Sequence, residues 1–117
     1  MDIEALAKPI LDQVLASLAA DQYYLIAYPD PSWLTVQVGS QAWLPAFRDP
    51  LDAQQVQPPG TELVLVPARE LLWRGMGLKQ TQGIIFYDRP GDRQWGKQVD
   101  CQRLKRAIQA HFWNTTA

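Results

Sequence analysis

The chain has one cysteine and one histidine. A lone Cys101 can form neither an internal disulfide nor a cysteine-based zinc site. A catalytic pair of Cys101 with His111 is disfavoured too. They stand ten residues apart on one predicted helix, roughly 15 Å at 1.5 Å per residue, and point in different directions. Long apolar runs are also missing. None approaches the roughly 18 residues that a membrane span needs, so no membrane association is expected. The first residues are acidic (Asp2, Glu4) and Pro9 breaks the apolar pattern, which is the wrong polarity for a secretory signal. With a single thiol, these features point to a reducing, cytoplasmic compartment. Asn114-Thr115-Thr116 matches the glycosylation sequon and reads as a chance match in that setting.

Phosphate-cradling and metal motifs are lacking as well. Gly75-Met76-Gly77 follows a helical segment instead of opening one. Lys79 lies two residues past Gly77 with no Ser or Thr directly after it, so the glycines read as a helix stop and not as a P-loop. Asp88 with Asp92, and Asp49 with Asp52, bracket turns, where aspartate bonds its own backbone. No third carboxylate or histidine can be placed beside either pair. The expectation is no cofactor, no metal and no catalytic residue.

What is present is an ordinary globular balance: 117 residues, 47% hydrophobic and 20% charged, enough for a single domain spanning 1–117 with its own core. Five tryptophans are many for this length. A domain this small seldom hides all of them, so one or two should serve a surface.

The net charge of −1 conceals a split. Up to Glu62, two basic residues (Lys8, Arg48) face eight acidic ones, a net of −6. From Leu63 on, nine basic residues face four acidic ones (Glu70, Asp88, Asp92, Asp100), a net of +5. Such a division suits an interaction surface better than a fold argument.

The most definite buried strand is Gly83–Asp88, with four large apolar residues bounded by a glycine and by Asp88-Arg89-Pro90-Gly91. Before it, 2–20 reads as an amphipathic helix on Ile3, Leu6, Ala7, Ile10, Val14 and Leu18, capped by Asp2 and kinked at Pro9. Residues 23–28, 33–38 and 41–47 read as strands of an antiparallel meander, with Pro45 forcing the last to an edge or an early end. Residues 48–60 read as a loop, and 61–66, being continuously apolar, as a central strand. A short helix over 67–74 should stop at Gly75 and Gly77. Arg89–Gly96 reads as a loop, and Asp100 should cap a last helix whose apolar stripe is Leu104, Ala107, Ile108, His111 and Phe112. The fold class is α+β: one mainly antiparallel sheet of about five strands, with N-terminal and C-terminal helices packed on one face.

The basic residues of the second half are interleaved with Trp73, Tyr87, Trp95 and Trp113. Arg and Trp together are typical of protein-binding hot spots, and also of single-stranded nucleic-acid grooves. The surface expected to matter is Trp73, Arg74, Lys79, Arg89, Arg93, Trp95, Lys97, Arg103 and Arg106, at the two ends of the 83–88 strand. A sequence pI near 5.7 argues against a dedicated nucleic-acid binder. The reading is therefore a non-catalytic protein–protein interaction, assembly or regulatory module. It would bind another protein, or itself through its acidic and basic halves as a homodimer. Nucleic-acid binding through the basic half is the alternative, and a small enzyme acting on an anionic ligand the next.

Overall fold

A computed structural model describes the backbone of residues 3–116 and the side chains of residues 5 and 7–111. Asp2 and Glu4, the stripe positions Ile3 and Leu6, Phe112, Trp113 and the 114–116 sequon lie outside the described side chains. The elements run α1 (Ile3–Ala16), β1 (Gln22–Ala27), β2 (Val36–Val38), β3 (Gln41–Phe47), α2 (Pro50–Val56), β4 (Glu62–Pro67), α3 (Ala68–Gly77), β5 (Gly83–Tyr87), β6 (Lys97–Val99) and α4 (Cys101–Thr116). The protein is α+β, with four helices and an open, six-stranded mixed sheet.

The strand order is β4-β1-β3-β5-β6, with β2 paired to β3 off that path. β3 and β5 are parallel, Trp43 opposite Gly83 through Phe47 opposite Tyr87. The other pairings are antiparallel. The three early strands are not a simple meander. β1 meets the 33–38 segment only at an Ala27–Trp33 bridge and pairs instead with β4 and with the end of β3. Pro45 neither ends β3 nor sends it to an edge. On one side of β3, β2 pairs up to Trp43 and β1 meets Phe47. Pro45 falls between them, where no neighbour asks for its missing N–H.

Successive strand residues point to opposite faces, and the core divides accordingly. On one face Leu25, Leu44, Ile84 and Phe86 meet Leu11 of α1, Leu71 and Leu72 of α3, and Leu104 and Ile108 of α4. On the other, Ile26 and Phe47 meet Ala53 of α2. Each such large side chain, fully buried, contributes about 1.5–3 kcal/mol. Tyr23 meets Phe86 edge-on, ring centroids 4.9 Å apart.

Several expectations are corrected. Residues 50–56 are helical: Asp49 caps α2 by accepting the Leu51 N–H at 2.9 Å, and Pro50 opens it. β4 is the outermost strand, not a central one, and Leu65 is 43% exposed. α1 ends at Ala16, short of 20. β6 emerges from the 97–99 stretch because Lys97, Gln98 and Val99 find Phe86, Ile85 and Ile84 across from them. On α4 the buried positions are Cys101, Leu104 and Ile108, whereas Ala107 and His111 face outward. Asp100 does cap α4, its Oδ1 accepting the Arg103 N–H at 2.9 Å.

α3 runs through Gly75 because the start of α4 and β5 lie against it. A Cβ there would stand 2.8 Å from Cys101 Sγ and 3.0 Å from Ile84 Cδ1. Gly83 is tighter: its Cβ would fall 2.0 Å from the Val99 carbonyl oxygen and 2.9 Å from Cys101 N. Backbone cannot swing aside as a side chain can. Gly83→Ala is therefore expected to cost about 3 kcal/mol, lowering Tm by roughly 10 °C in thermal denaturation. Gly77→Ala, with open space around it, should stay within about 1 kcal/mol of the parent. Equal Tm values for the two variants would refute the close approach at Gly83.

Candidate functional site

Two clefts adjoin at the N-terminal end of β5, on either side of the 78–82 link. The larger, about 780 Å³, lies between Trp33, Thr35 and Gln37 on one wall and Gly77 to Thr81 on the other. The smaller, about 320 Å³, lies between Ser40, Gln41 and Gln82 and the first turns of α4, Gln102 and Arg106. Lys79, Gln80 and Thr81 line both, and among the described residues no carboxylate lines either. The Arg74 guanidinium lies 5.8 Å from the centre of the Trp33 ring and is ion-paired to Glu70 at 2.6 Å, one helical turn back.

The link holds its shape through neighbouring amides. Gln102 Nε2 donates to the Leu78 carbonyl at 3.1 Å and the Thr81 carbonyl at 3.0 Å. Gln82 N–H donates to Ala42 O at 2.8 Å, and its Nε2 donates to Asp100 at 2.7 Å. Burial acts to raise the Asp100 carboxyl. The Arg103 N–H and the Gln82 amide outweigh it, with Arg106 nearby, and hold the group below the usual carboxylate range. The lining groups are hydroxyls, amides and cations. They can grip an anion or a peptide backbone, but include no carboxylate or imidazole to act as a general base.

The C-terminal end of β5 carries the other basic group. Arg89 lies 4.2 Å from the Trp95 ring centre, and Lys97 Nζ donates to the Ser17 carbonyl at 3.2 Å. Arg93 borders a cleft of about 340 Å³ whose floor includes Pro45, Phe47 and Tyr87. The Phe47 and Tyr87 rings stack there at 5.0 Å. Asp88 is buried: its carboxylate accepts the Tyr23 hydroxyl and, at 3.3 Å, the Ala19 N–H. Its carbonyl accepts Arg48 Nη1 at 3.3 Å. Asp52, also buried, takes the Gly91 N–H on both oxygens at 3.2 and 3.1 Å, and Asp92 takes the Gln94 N–H. Asp49 and Asp92 thus hold the backbone of their own turns, as expected, whereas Asp52 and Asp88 reach distant segments, Asp52 the Gly91 turn and Asp88 the Tyr23 hydroxyl and Ala19 N–H.

Of the residues expected to form the surface, Arg74, Lys79 and Arg106 gather at one end of β5, and Arg89, Arg93, Trp95 and Lys97 at the other. Trp73 is half-buried and borders a separate recess of about 260 Å³ with Met76, Lys105 and Ile108. Arg103 is exposed on α4 and lines neither cleft. Sequence reasoning missed Trp33 and the glutamines of the cleft walls. Trp33 directly follows the Pro29–Ser32 turn, where an aromatic ring has few neighbours to bury it, and that was the available signal. Cys101 is fully buried, and burial first, then the Asp100 charge, pushes its thiol up to about 12. It is a packing residue, not a nucleophile. Among the described residues no three His, Cys, Asp or Glu side chains converge to hold a metal ion.

Compared with protein-family models and with curated proteins, the sequence matches none.

Burial, reinforced by the hydrogen bond and charge of Asp88, raises the Tyr23 hydroxyl well above its ordinary value near 10. A raised folded-state value stabilises the protein fully below the unfolded value and loses that stability as pH climbs toward the folded one. Tm should therefore fall above about pH 10. Tyr23→Phe should cost about 1–3 kcal/mol at neutral pH by leaving Asp88 short of a partner, and should flatten the alkaline fall. Thermal melts across pH 8–11, as rough bounds, check both, and a variant curve parallel to the parent's would contradict the assignment.

Proposed function

We propose that the chain is a non-catalytic protein-interaction module that holds an acidic segment of a partner protein across the N-terminal end of β5. The observation that carries this reading is Lys79, shared by two adjoining clefts that no carboxylate lines among the described residues. Arg106 stands in one, and Arg74 backs the Trp33 wall of the other. An extended acidic segment could lay its carboxylates on Lys79 and Arg106, lodge an apolar side chain against Trp33, and satisfy its backbone on the surrounding glutamine amides. Cation and aromatic side by side supply affinity, and the amide walls supply orientation. Three cations, one already paired with Glu70, make a short track. That favours a few carboxylates over a run of phosphates.

The test is fluorescence anisotropy with a short Glu/Asp-rich peptide bearing one aromatic residue. Binding at low salt is expected, and Lys79→Glu with Arg106→Glu should weaken it at least about tenfold, ~1.4 kcal/mol. Unchanged affinity in the double variant would remove the clefts from the reading. A single-stranded oligonucleotide that bound more tightly, with a steep salt dependence, would replace the acidic segment by nucleic acid.

A further inference from the structure

β4 is the outermost strand of the sheet, and β1 is its one strand partner. Their register sets Leu25 opposite Val64 and Tyr23 opposite Val66. One step beyond the last pair, the Ala68 N–H donates to the Asp21 carbonyl at 2.8 Å. Hydrogen-bonded and non-hydrogen-bonded pairs alternate along an antiparallel ladder. Counting back from Ala68, Val66, Val64 and Glu62 turn their backbone groups inward to β1. Pro67, Leu65 and Leu63 turn theirs outward. Pro67 thus occupies the row where a missing N–H costs β1 nothing. The Thr61 carbonyl, next in that row, is taken by the Gln57 side-chain amide at 2.8 Å. The N–H and C=O of Leu63 and of Leu65 remain, facing out with no partner among the described residues.

Exposed strand edges are usually blunted by brevity or charge. β6 at the opposite edge follows that rule, three residues long and opened by Lys97. β4 does not. It is six residues long, with Leu-Val-Leu-Val between Glu62 and Pro67.

We propose that this edge docks a second copy of the chain, the two β4 strands pairing antiparallel about a two-fold axis at Val64 to make one continuous sheet. The outward row is complementary to itself in that register. Leu63 of each copy meets Leu65 of the other as a hydrogen-bonded pair, so every free N–H and C=O of the four leucines is used and none is asked of Pro67. Val64 meets its counterpart on the axis, and the exposed Leu65 is covered. Glu62 comes to lie opposite Val66 of the other copy, on the face that carries α3, whose exposed Arg69 is ion-paired to Asp12 of α1. The proposal uses a different surface from the clefts at β5 and stands whether or not those hold an acidic segment.

Sedimentation of the full chain tests it, with a mass of two chains expected at high concentration and dissociation on dilution. Leu65→Lys places an unshielded cation at the centre of the interface and should raise the dissociation constant at least about tenfold. Its melting temperature should stay near the parent's. Val64→Cys should cross-link two copies under mild oxidation, since facing residues of a non-hydrogen-bonded pair lie about 4.5 Å apart at Cα, within disulfide reach. The parent, whose only thiol is the buried Cys101, should not cross-link. If Leu65→Lys fails to fold, the Val64→Cys cross-link decides. A parent chain that sediments singly up to about 1 mM overturns the proposal. So does a dimer that survives Leu65→Lys, or one in which Val64→Cys stays unlinked.

Discussion

The parallel pairing of β3 with β5 is the constraint from which the rest of the architecture follows. Parallel neighbours cannot be joined by a hairpin, so the chain must travel back between them. Here the return takes in α2, β4 and α3, and β4 is laid down on the far side of β1 on the way. α3 then delivers the chain to the N-terminal end of β5, which is why the 78–82 link lies beside the β2–β3 hairpin and opens a cleft against it. On its other side β5 has a constraint of its own at Gly83. β6 and the first turn of α4 close over the strand so tightly that only a hydrogen fits where a Cβ would be.

The charge asymmetry along the chain maps onto the sheet only in part. Strands β1, β2 and β3 come from the acidic half and β5 and β6 from the basic half, while β4 straddles the boundary, with Glu62 on one side and Leu63 to Pro67 on the other. The basic residues do not merge into one face. They divide between the ends of β5, four residues apart and so roughly 13 Å along the strand. The two groups differ in kind. Those at the C-terminal end are largely occupied: Arg89 by Trp95, Lys97 by a helix-end carbonyl, Arg48 by the Asp88 carbonyl. Lys79 at the other end borders two open clefts. For that reason the N-terminal end, not the Trp95 loop, is the better docking surface.

Local signals were legible where local physics decides. β5 announced itself by four consecutive apolar residues, and Asp100 by standing just ahead of a helical stripe. Asp49-Pro50 carried an equally clear helix start, but its helix is only seven residues long with one buried alanine at its centre, too little periodicity to outweigh the prolines after it. Sheet position was not legible, because an apolar run reports burial by any means. Val64 and Val66 are covered by helices from one face, so β4 reads like an interior strand while its edge stays open. The outward turn of His111 was hidden similarly: among the described side chains of α4 the buried ones are Cys101, Leu104 and Ile108, a register that an apolar stripe alone does not fix. Trp33 escaped because its role comes from Arg74, forty-one residues away in sequence.

Proline, taken as a strand breaker, was the most misleading residue in the chain, and it becomes the most informative once the sheet is known. Pro45 sits inside β3 and Pro67 ends β4, and both fall where one side of the backbone has no ladder neighbour to serve. At Pro45 the gap between β2 and β1 is internal and forms part of the floor of the Phe47–Tyr87 cleft. At Pro67 the vacancy is the outer edge of the sheet. A proline in a strand marks the side on which that strand is unpaired. In β4 the mark falls on the same row as Leu63 and Leu65. Proline at the end of that row limits how far a partner strand can zip along it, and so favours a register centred on Val64 over one shifted toward Pro67. The residue that cannot donate thereby helps to choose which residues do.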